Sequence, residues 1–142
     1  MKKHPFVAVI VPIVACALTV AACITTQGVP APDLAKELSD GGAFTFQAND
    51  AGGVPFLNSV EFQMSNGALV GVMRDSSGVY AVPLNSLSVR ENVTVEFSNQ
   101  SPSFGGKAMN LTRTAPGQFK GTMRATTPTG FQWSSTATMT KS

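Results

Sequence analysis

The sequence predicts an all-β domain over residues 43–142, a single small antiparallel β-barrel or sandwich of about eight short strands. Two observations support this fold class. From Ala43 onward, apolar and polar residues alternate, which is typical of a sheet with one buried and one solvated face. Turn-forming clusters also separate the alternating segments at near-regular intervals. Closing such a sheet into a barrel would remove its exposed edges.

A short helix and a hairpin are predicted ahead of the main run of strands. Asp33 can cap a helix that runs to Ser39, and Gly41 can end it. Asn66-Gly67 lies between two apolar segments and predicts a tight hairpin, because both residues tolerate positive φ. The strands predicted in this part of the chain are residues 43–47, 60–64 and 68–74.

The most regular alternation lies in the middle of the chain. A strand is predicted at 79–84, and a separate hairpin follows it, with its turn at Arg90-Glu91-Asn92. One face of this hairpin is predicted to be buried and holds Leu87, Val89, Val93, Val95 and Phe97. Thr94 is predicted on the opposite, solvated face.

Three more strands are predicted towards the C-terminus, at 107–113, 118–125 and 131–139. Ala115-Pro116-Gly117 and the segment 127–130 provide the turns between them. The last strand is predicted to place four side chains on one face, namely Phe131, Trp133, Ala137 and Met139.

An internal similarity links two of these strands. The segment 67–74 matches the segment 117–124 and shares with it a Gly-x-Met-Arg sequence. This similarity predicts two related hairpins in one meander. Gly71 and Gly121 are predicted to allow a bend or a close approach of neighbouring strands. The run from Gly71 to Met139 is also faintly similar in pattern to lipocalin-like and avidin-like meanders, although the Gly-x-Trp signature of lipocalins is absent.

The N-terminus has the pattern of an export signal. Lys2 and Lys3 precede an apolar run at 6–20, and Val20-Ala21-Ala22-Cys23 follows. This segment resembles a bacterial lipoprotein signal with a lipobox. The resemblance implies a signal peptide at 1–22, a palmitate-bearing lipid anchor on Cys23 and a tether at 23–42. Because Ile24 follows the cysteine, it also implies the outer membrane, with the domain facing the periplasm.

Three alternatives to lipidation at Cys23 remain open. Cys16 has a similar sequence before it but would leave a shorter apolar core. The segment 6–24 is roughly long enough to span a bilayer as an uncleaved helix. An ordinary secretory signal without a lipid is the third alternative.

The composition of the remaining chain argues against several function classes. Without residues 1–22 the basic and acidic residues balance, which argues against a nucleic-acid partner. Neither histidine nor free cysteine is left beyond Cys23, and no cofactor, metal or catalytic motif is found. We therefore expect a non-catalytic role without a cofactor.

Two kinds of binding site are compatible with the sequence. The preferred one is a surface for an envelope protein or glycan, with an anionic partner held by four basic residues, Lys107, Arg113, Lys120 and Arg124. The first alternative is a barrel that carries an apolar small molecule, with a ligand or core face formed by Tyr80, Phe119, Phe131, Trp133 and Met139. The second alternative is an inhibitor of an envelope-directed hydrolase. A surface site is preferred because short strands fill a small barrel more easily than they enclose a pocket.

Overall fold

The computed structural model describes residues 33–142, which form a closed eight-stranded antiparallel β-barrel preceded by one short helix. The predicted all-β fold class is therefore confirmed. The sequence left open a barrel or a sandwich, and the structure is a closed barrel. The predictions on the signal segment, Cys16, Cys23 and residues 24–32 of the tether lie outside the described residues. The helix is α1 (Leu34–Asp40), and the strands are β1 (Ala43–Asn49), β2 (Pro55–Ser65), β3 (Ala68–Asp75), β4 (Ala81–Arg90), β5 (Thr94–Ser101), β6 (Gly105–Ala115), β7 (Gln118–Thr126) and β8 (Gln132–Lys141).

The barrel is a simple meander. Each strand pairs with the next one in the chain, and β1 closes the ring by pairing with β8, where Phe46 lies opposite Met139. Three tight connections, β2–β3, β4–β5 and β6–β7, lie at the end of the barrel where β1 begins; we call this the plugged end. The connections β1–β2, β3–β4, β5–β6 and β7–β8 lie at the opposite end, which we call the mouth.

Helix α1 forms the plug. Asp33 caps it by accepting a hydrogen bond from the backbone N–H of Lys36, and Gly41 follows its last turn, as predicted. Leu34 and Leu38 are fully buried in the barrel core. The Leu34 N–H also donates to the Asn92 side-chain oxygen in the β4–β5 turn, at 2.7 Å. A helix of under two turns is marginal alone, so this burial is what keeps it formed.

A charged contact fixes the helix to the barrel. The two carboxylate oxygens of Glu37 accept hydrogen bonds from the Arg113 Nε–H at 2.7 Å and from the Gly117 backbone N–H at 2.6 Å. Arg113 lies near the end of β6, and Gly117 lies in the β6–β7 turn. The helix is therefore held on two sides of the plugged end.

Among residues 33–142, no helix is long and apolar enough to cross a membrane.

Aromatic side chains fill the lumen next to the plug. The Phe44 ring packs edge-to-face on Phe62 and Phe119, with centroid distances of 5.8 and 6.0 Å. Phe62 packs in the same way on Phe97, at 5.7 Å. Three of the methionines, Met109, Met123 and Met139, are also buried in the barrel core. This part of the barrel has the close packing expected of a protein interior.

Three details of the strands differ from the prediction. Val93, predicted on the buried face of the hairpin, is 43% exposed because it lies in the β4–β5 connection and not in a strand. The segments 79–84 and 87–90 belong to one strand, β4, whose register with β5 shifts between Leu84 and Ser86. Thr94 is buried, at 8% exposure, and its hydroxyl lies 3.2 Å from that of Thr112 on the neighbouring strand.

The predicted close approach at the two related glycines is confirmed. A Cβ added to Gly121 would lie 1.9 Å from the carbonyl oxygen of Asn110 on β6. A Cβ on Gly71 would lie 2.9 Å from the carbonyl oxygen of Glu61 on β2. Glycine is therefore required at both sites because a side chain would collide there, and not because the backbone adopts an unusual φ angle.

Candidate functional site at the barrel mouth

A cavity of about 470 Å³ opens at the mouth. Ligand pockets in proteins usually fall between about 300 and 1,000 Å³ and are mostly apolar, so this cavity has the size and character of a small-molecule site. Its lining is largely aromatic and aliphatic and includes Phe56, Met73, Tyr80, Val82, Phe104 and Trp133.

Paired aromatic rings build the walls. Trp133, near the start of β8, stacks on Phe131 at a centroid distance of 6.2 Å and an interplanar angle of 23°. Its indole N–H donates to the carbonyl oxygen of Asn49 at 3.3 Å, which fixes the ring orientation. Tyr80 packs edge-to-face on Phe104 at 5.4 Å and joins the β3–β4 connection to the β5–β6 connection. These contacts preorganise the walls without a ligand.

The floor of the cavity is formed by Met73 and Asn99. Both side chains are buried, and the Asn99 amide nitrogen lies 3.3 Å from the Met73 sulfur. A thioether is a weak acceptor, so this amide keeps donor capacity for a better partner.

Lys107 projects into the cavity from β6. Its ammonium nitrogen lies 5.7 Å from the centroid of the Phe56 ring, within the range of a cation–π contact. Burial in this apolar site lowers the pKa of Lys107 below its ordinary value of 10.5.

Two carboxylates also line the cavity, and each is engaged by its own turn. Asp50 accepts hydrogen bonds from the backbone N–H groups of Gly52 and Val54, at 2.9 and 2.8 Å. Asp75 accepts from the Ser77 hydroxyl at 2.6 Å and from the Tyr80 N–H at 3.1 Å. The Ser77 hydroxyl is the main cause that holds the pKa of Asp75 below its ordinary value. Both carboxylates therefore have a structural role in shaping the mouth.

The rim of the mouth is unusually apolar. Every one of its four connections exposes a large apolar side chain, and the most exposed are Val79 at 75% and Val54 at 59%. The complete set is Val54, Val79, Tyr80, Phe104 and Phe131. Several exposed apolar side chains at one end of a barrel are more typical of a binding site than of an inert surface.

The structure divides the five residues predicted for a ligand or core face. Tyr80, Phe131 and Trp133 lie at the mouth, where Tyr80 and Trp133 line the cavity. Phe119 and Met139 lie opposite each other in the packed core instead. The lining residues that were not predicted include Phe56, Val82, Asn99 and Phe104; Phe104 lies in a segment predicted to be a loop.

The four basic residues predicted to bind an anionic partner do not form one surface. Lys107 and Arg113 lie on the inward face of β6, one at the mouth and one bound to Glu37 at the plugged end. Lys120 and Arg124 are exposed on β7, on the face opposite to its buried residues. Strand alternation separates the two pairs across the barrel wall.

Other candidate sites on the described residues are weaker. No group of His, Cys, Asp or Glu within residues 33–142 is arranged to hold a metal ion. A second concavity of about 400 Å³ has a more polar lining that includes Ser86, Glu96 and Asn110. Glu96 is already paired there with Arg90 at 3.0 Å and with the Asn110 amide at 2.7 Å.

The fold and the site thus define a small antiparallel β-barrel with a packed end and an apolar cavity at its mouth. Among solved structures, the chain is similar to a redesigned β-barrel, b11L5F_LGL, with a TM-score of 0.57 and 21% identity over 80% of this chain and 99% of that one. It is also similar to EF1p2_mFAP2b bound to DFHBI, with a TM-score of 0.58 and 17% identity over 80% of this chain and all of that one. No protein-family model matches the sequence, and no curated protein matches it significantly. At these identities the likeness concerns the fold alone.

Proposed function

We propose that this protein is a non-catalytic, lipid-anchored β-barrel that binds an apolar small molecule in its mouth. The observation that carries the proposal is the preorganised aromatic cavity of about 470 Å³, open to solvent through an apolar rim. An open, mostly apolar concavity of this size with a few polar groups is the usual form of a small-molecule site.

The geometry favours the cavity over the surface site that the sequence had favoured. The barrel is filled only towards the plug, where the rings of Phe44, Phe62 and Phe97 meet. The basic surface is not assembled, because Lys107 and Arg113 face inward.

One structural neighbour supports the plausibility of this use of the fold. EF1p2_mFAP2b, whose chain has a similar barrel, is bound to the small molecule DFHBI. The similarity transfers no ligand and no binding residue to this chain. It supports only the idea that a barrel of this size holds a small molecule.

The lipid anchor remains a proposal that rests on the N-terminal sequence. A palmitate-bearing Cys23 would attach the barrel to a membrane, most simply the outer membrane on its periplasmic side. Residues 24–32 would then separate the anchor from Asp33, where the helix begins. Such an anchor would place an apolar-ligand site close to a membrane that contains apolar molecules.

The proposal is tested with N-phenyl-1-naphthylamine, a neutral apolar fluorophore, and protein that begins at residue 24. This protein keeps the whole compact unit Pro32–Ser142. We expect saturable binding with a dissociation constant of roughly 0.1 mM or below. Emission of Trp133, the single tryptophan, should transfer to the probe because the indole lines the cavity.

A pair of matched variants locates the binding. Val82→Phe enlarges a lining residue of β4 and should weaken probe binding severalfold, whereas Ser88→Phe adds the same ring to an exposed position of the same strand. Absence of saturable binding, or an equal effect of the two variants, would show that the mouth is not the binding site.

A further inference from the structure

The cavity holds a polar pair at a defined place in its apolar wall. The register of β5 to β8 sets Asn99 opposite Lys107, Lys107 opposite Ala125, and Ala125 opposite Trp133. Residues that lie opposite one another in an antiparallel sheet point to the same face. The ammonium of Lys107 and the amide of Asn99 therefore extend from neighbouring positions into the same lumen.

Both groups of this pair are donors without a strong acceptor. Within residues 33–142, the ion pairs of the barrel and helix do not include Lys107. Asn99 is only 7% exposed, and its amide nitrogen donates to the sulfur of Met73. A buried donor with so weak an acceptor gains free energy when an oxygen anion arrives.

The two carboxylates at the mouth do not supply that anion. Asp50 and Asp75 are held by the hydrogen bonds of their own turns, and neither lies within 4.0 Å of a described basic group. Asp75 belongs to β3, which is three strands away from β6 around the barrel.

We propose that the ligand is an apolar molecule with one anionic group, held by the Lys107 ammonium and the Asn99 amide while the aromatic walls bind its apolar body. This inference rests on the proposed function and adds the chemistry of the ligand. A fatty acid and an aromatic carboxylate share this chemistry. The lowered pKa of Lys107 agrees with it, because an anion would offset the cost of burying the ammonium.

A pair of probes with the same skeleton tests the inference. 8-Anilinonaphthalene-1-sulfonate is N-phenyl-1-naphthylamine with one added sulfonate. We expect the wild-type protein to bind the anionic probe more tightly than the neutral one. Lys107→Met should weaken the anionic probe at least about tenfold and leave the neutral probe unchanged or tighter.

Two further variants separate charge from shape. Lys107→Arg should retain most of the preference for the anion, since it keeps the positive charge. Lys120→Met removes a lysine from the exposed face of β7 and should change the affinity for neither probe.

Displacement of the anionic probe by laurate or by 2-naphthoate then distinguishes an acyl from an aromatic ligand, with dodecanol as the neutral control.

Four results would overturn the inference. The first is tighter binding of the neutral probe by the wild type, and the second is an equal loss of both probes in Lys107→Met. The third is an equal effect of Lys107→Met and Lys120→Met, and the fourth is displacement by neither carboxylate. In each of these cases, continued binding of N-phenyl-1-naphthylamine would leave the proposed function standing. Failure of that neutral probe in the wild type would contradict the proposed function itself.

Discussion

Glu37 joins the plug to the barrel, and its replacement by alanine should destabilise the fold strongly. The carboxylate accepts hydrogen bonds from Arg113 and from the Gly117 backbone, and the side chains of Glu37 and Arg113 are only 20% and 22% exposed. Each hydrogen bond to a charged group contributes about 1.5–3 kcal/mol, and the partial exposure reduces that value. The variant also leaves the guanidinium half-buried without its partner. We therefore expect a loss of about 2–4 kcal/mol in the free energy of unfolding.

The same helix contains a control. Lys36 and Asp40 form an ion pair whose side chains are 71% and 61% exposed, and such pairs contribute less than about 1 kcal/mol. In urea unfolding followed by Trp133 fluorescence, Glu37→Ala should therefore lower the midpoint far more than Asp40→Ala. The expected loss corresponds to a fall in Tm of roughly 10–20 °C.

A double-mutant cycle with Arg113→Ala isolates the contact itself. The coupling free energy between Glu37 and Arg113 should be about 1–3 kcal/mol, because the groups touch and are largely shielded from water. Equal losses in Glu37→Ala and Asp40→Ala, or a coupling near zero, would refute the view that this contact fixes the plug.

Three further predictions concern other parts of the chain. Lys107→Met should raise the Tm of the ligand-free protein at neutral pH, because the lowered pKa means that folding disfavours the charged ammonium; this gain should shrink as the pH rises towards 10.5, and an undiminished gain would contradict the electrostatic cause. Gly121→Ala should destabilise by several kcal/mol, since the new Cβ would collide with a backbone carbonyl, whereas Gly52→Ala meets its nearest atom at 3.4 Å and should cost far less in the same unfolding assay. Cys23→Ser should abolish palmitate labelling in a bacterial host and leave an uncleaved precursor, while Cys16→Ser should do neither; the reverse pattern would place the lipid on Cys16.

The strands could be predicted because the barrel buries one face of each of them. Alternation along β5 correctly placed Val95 and Phe97 in the core. It failed between Leu84 and Ser86, where the ladder shifts register. A bulge interrupts alternation in the same way as a turn does, so the sequence suggested two strands where the barrel has one.

The cavity could not be predicted because alternation gives the face of a residue and not its depth in the barrel. Phe119 and Trp133 both point inward, but Phe119 lies in the packed layer near the plug and Trp133 lies at the mouth. This difference depends on the pairing of β6, β7 and β8 and on how side chains from opposite walls meet. A pattern within one stretch of sequence shows neither how distant strands pair nor which side chains meet across the lumen.

The same alternation could have predicted that the four basic residues lie on opposite faces of the barrel wall. Lys107 and Arg113 share their parity with the buried Met109 and Leu111, which places them on the inward face of β6. Lys120 has the opposite parity to its buried neighbour Phe119, which places it outside. The prediction grouped these residues by charge alone and did not consider whether each one faces into or out of the barrel.

The two inward-facing cations of β6 therefore pose different electrostatic problems. Arg113 is compensated by Glu37 at 2.7 Å, so the architecture of the plug accounts for it. Lys107 has the ring of Phe56 as its partner and a lowered pKa, so its charge costs free energy in the ligand-free barrel. An apolar side chain such as methionine would fill the same wall without that cost, and packing alone gives no reason for an ammonium there. A ligand anion gives one, because it would pair with the ammonium in an apolar site where such a pair is weakly screened.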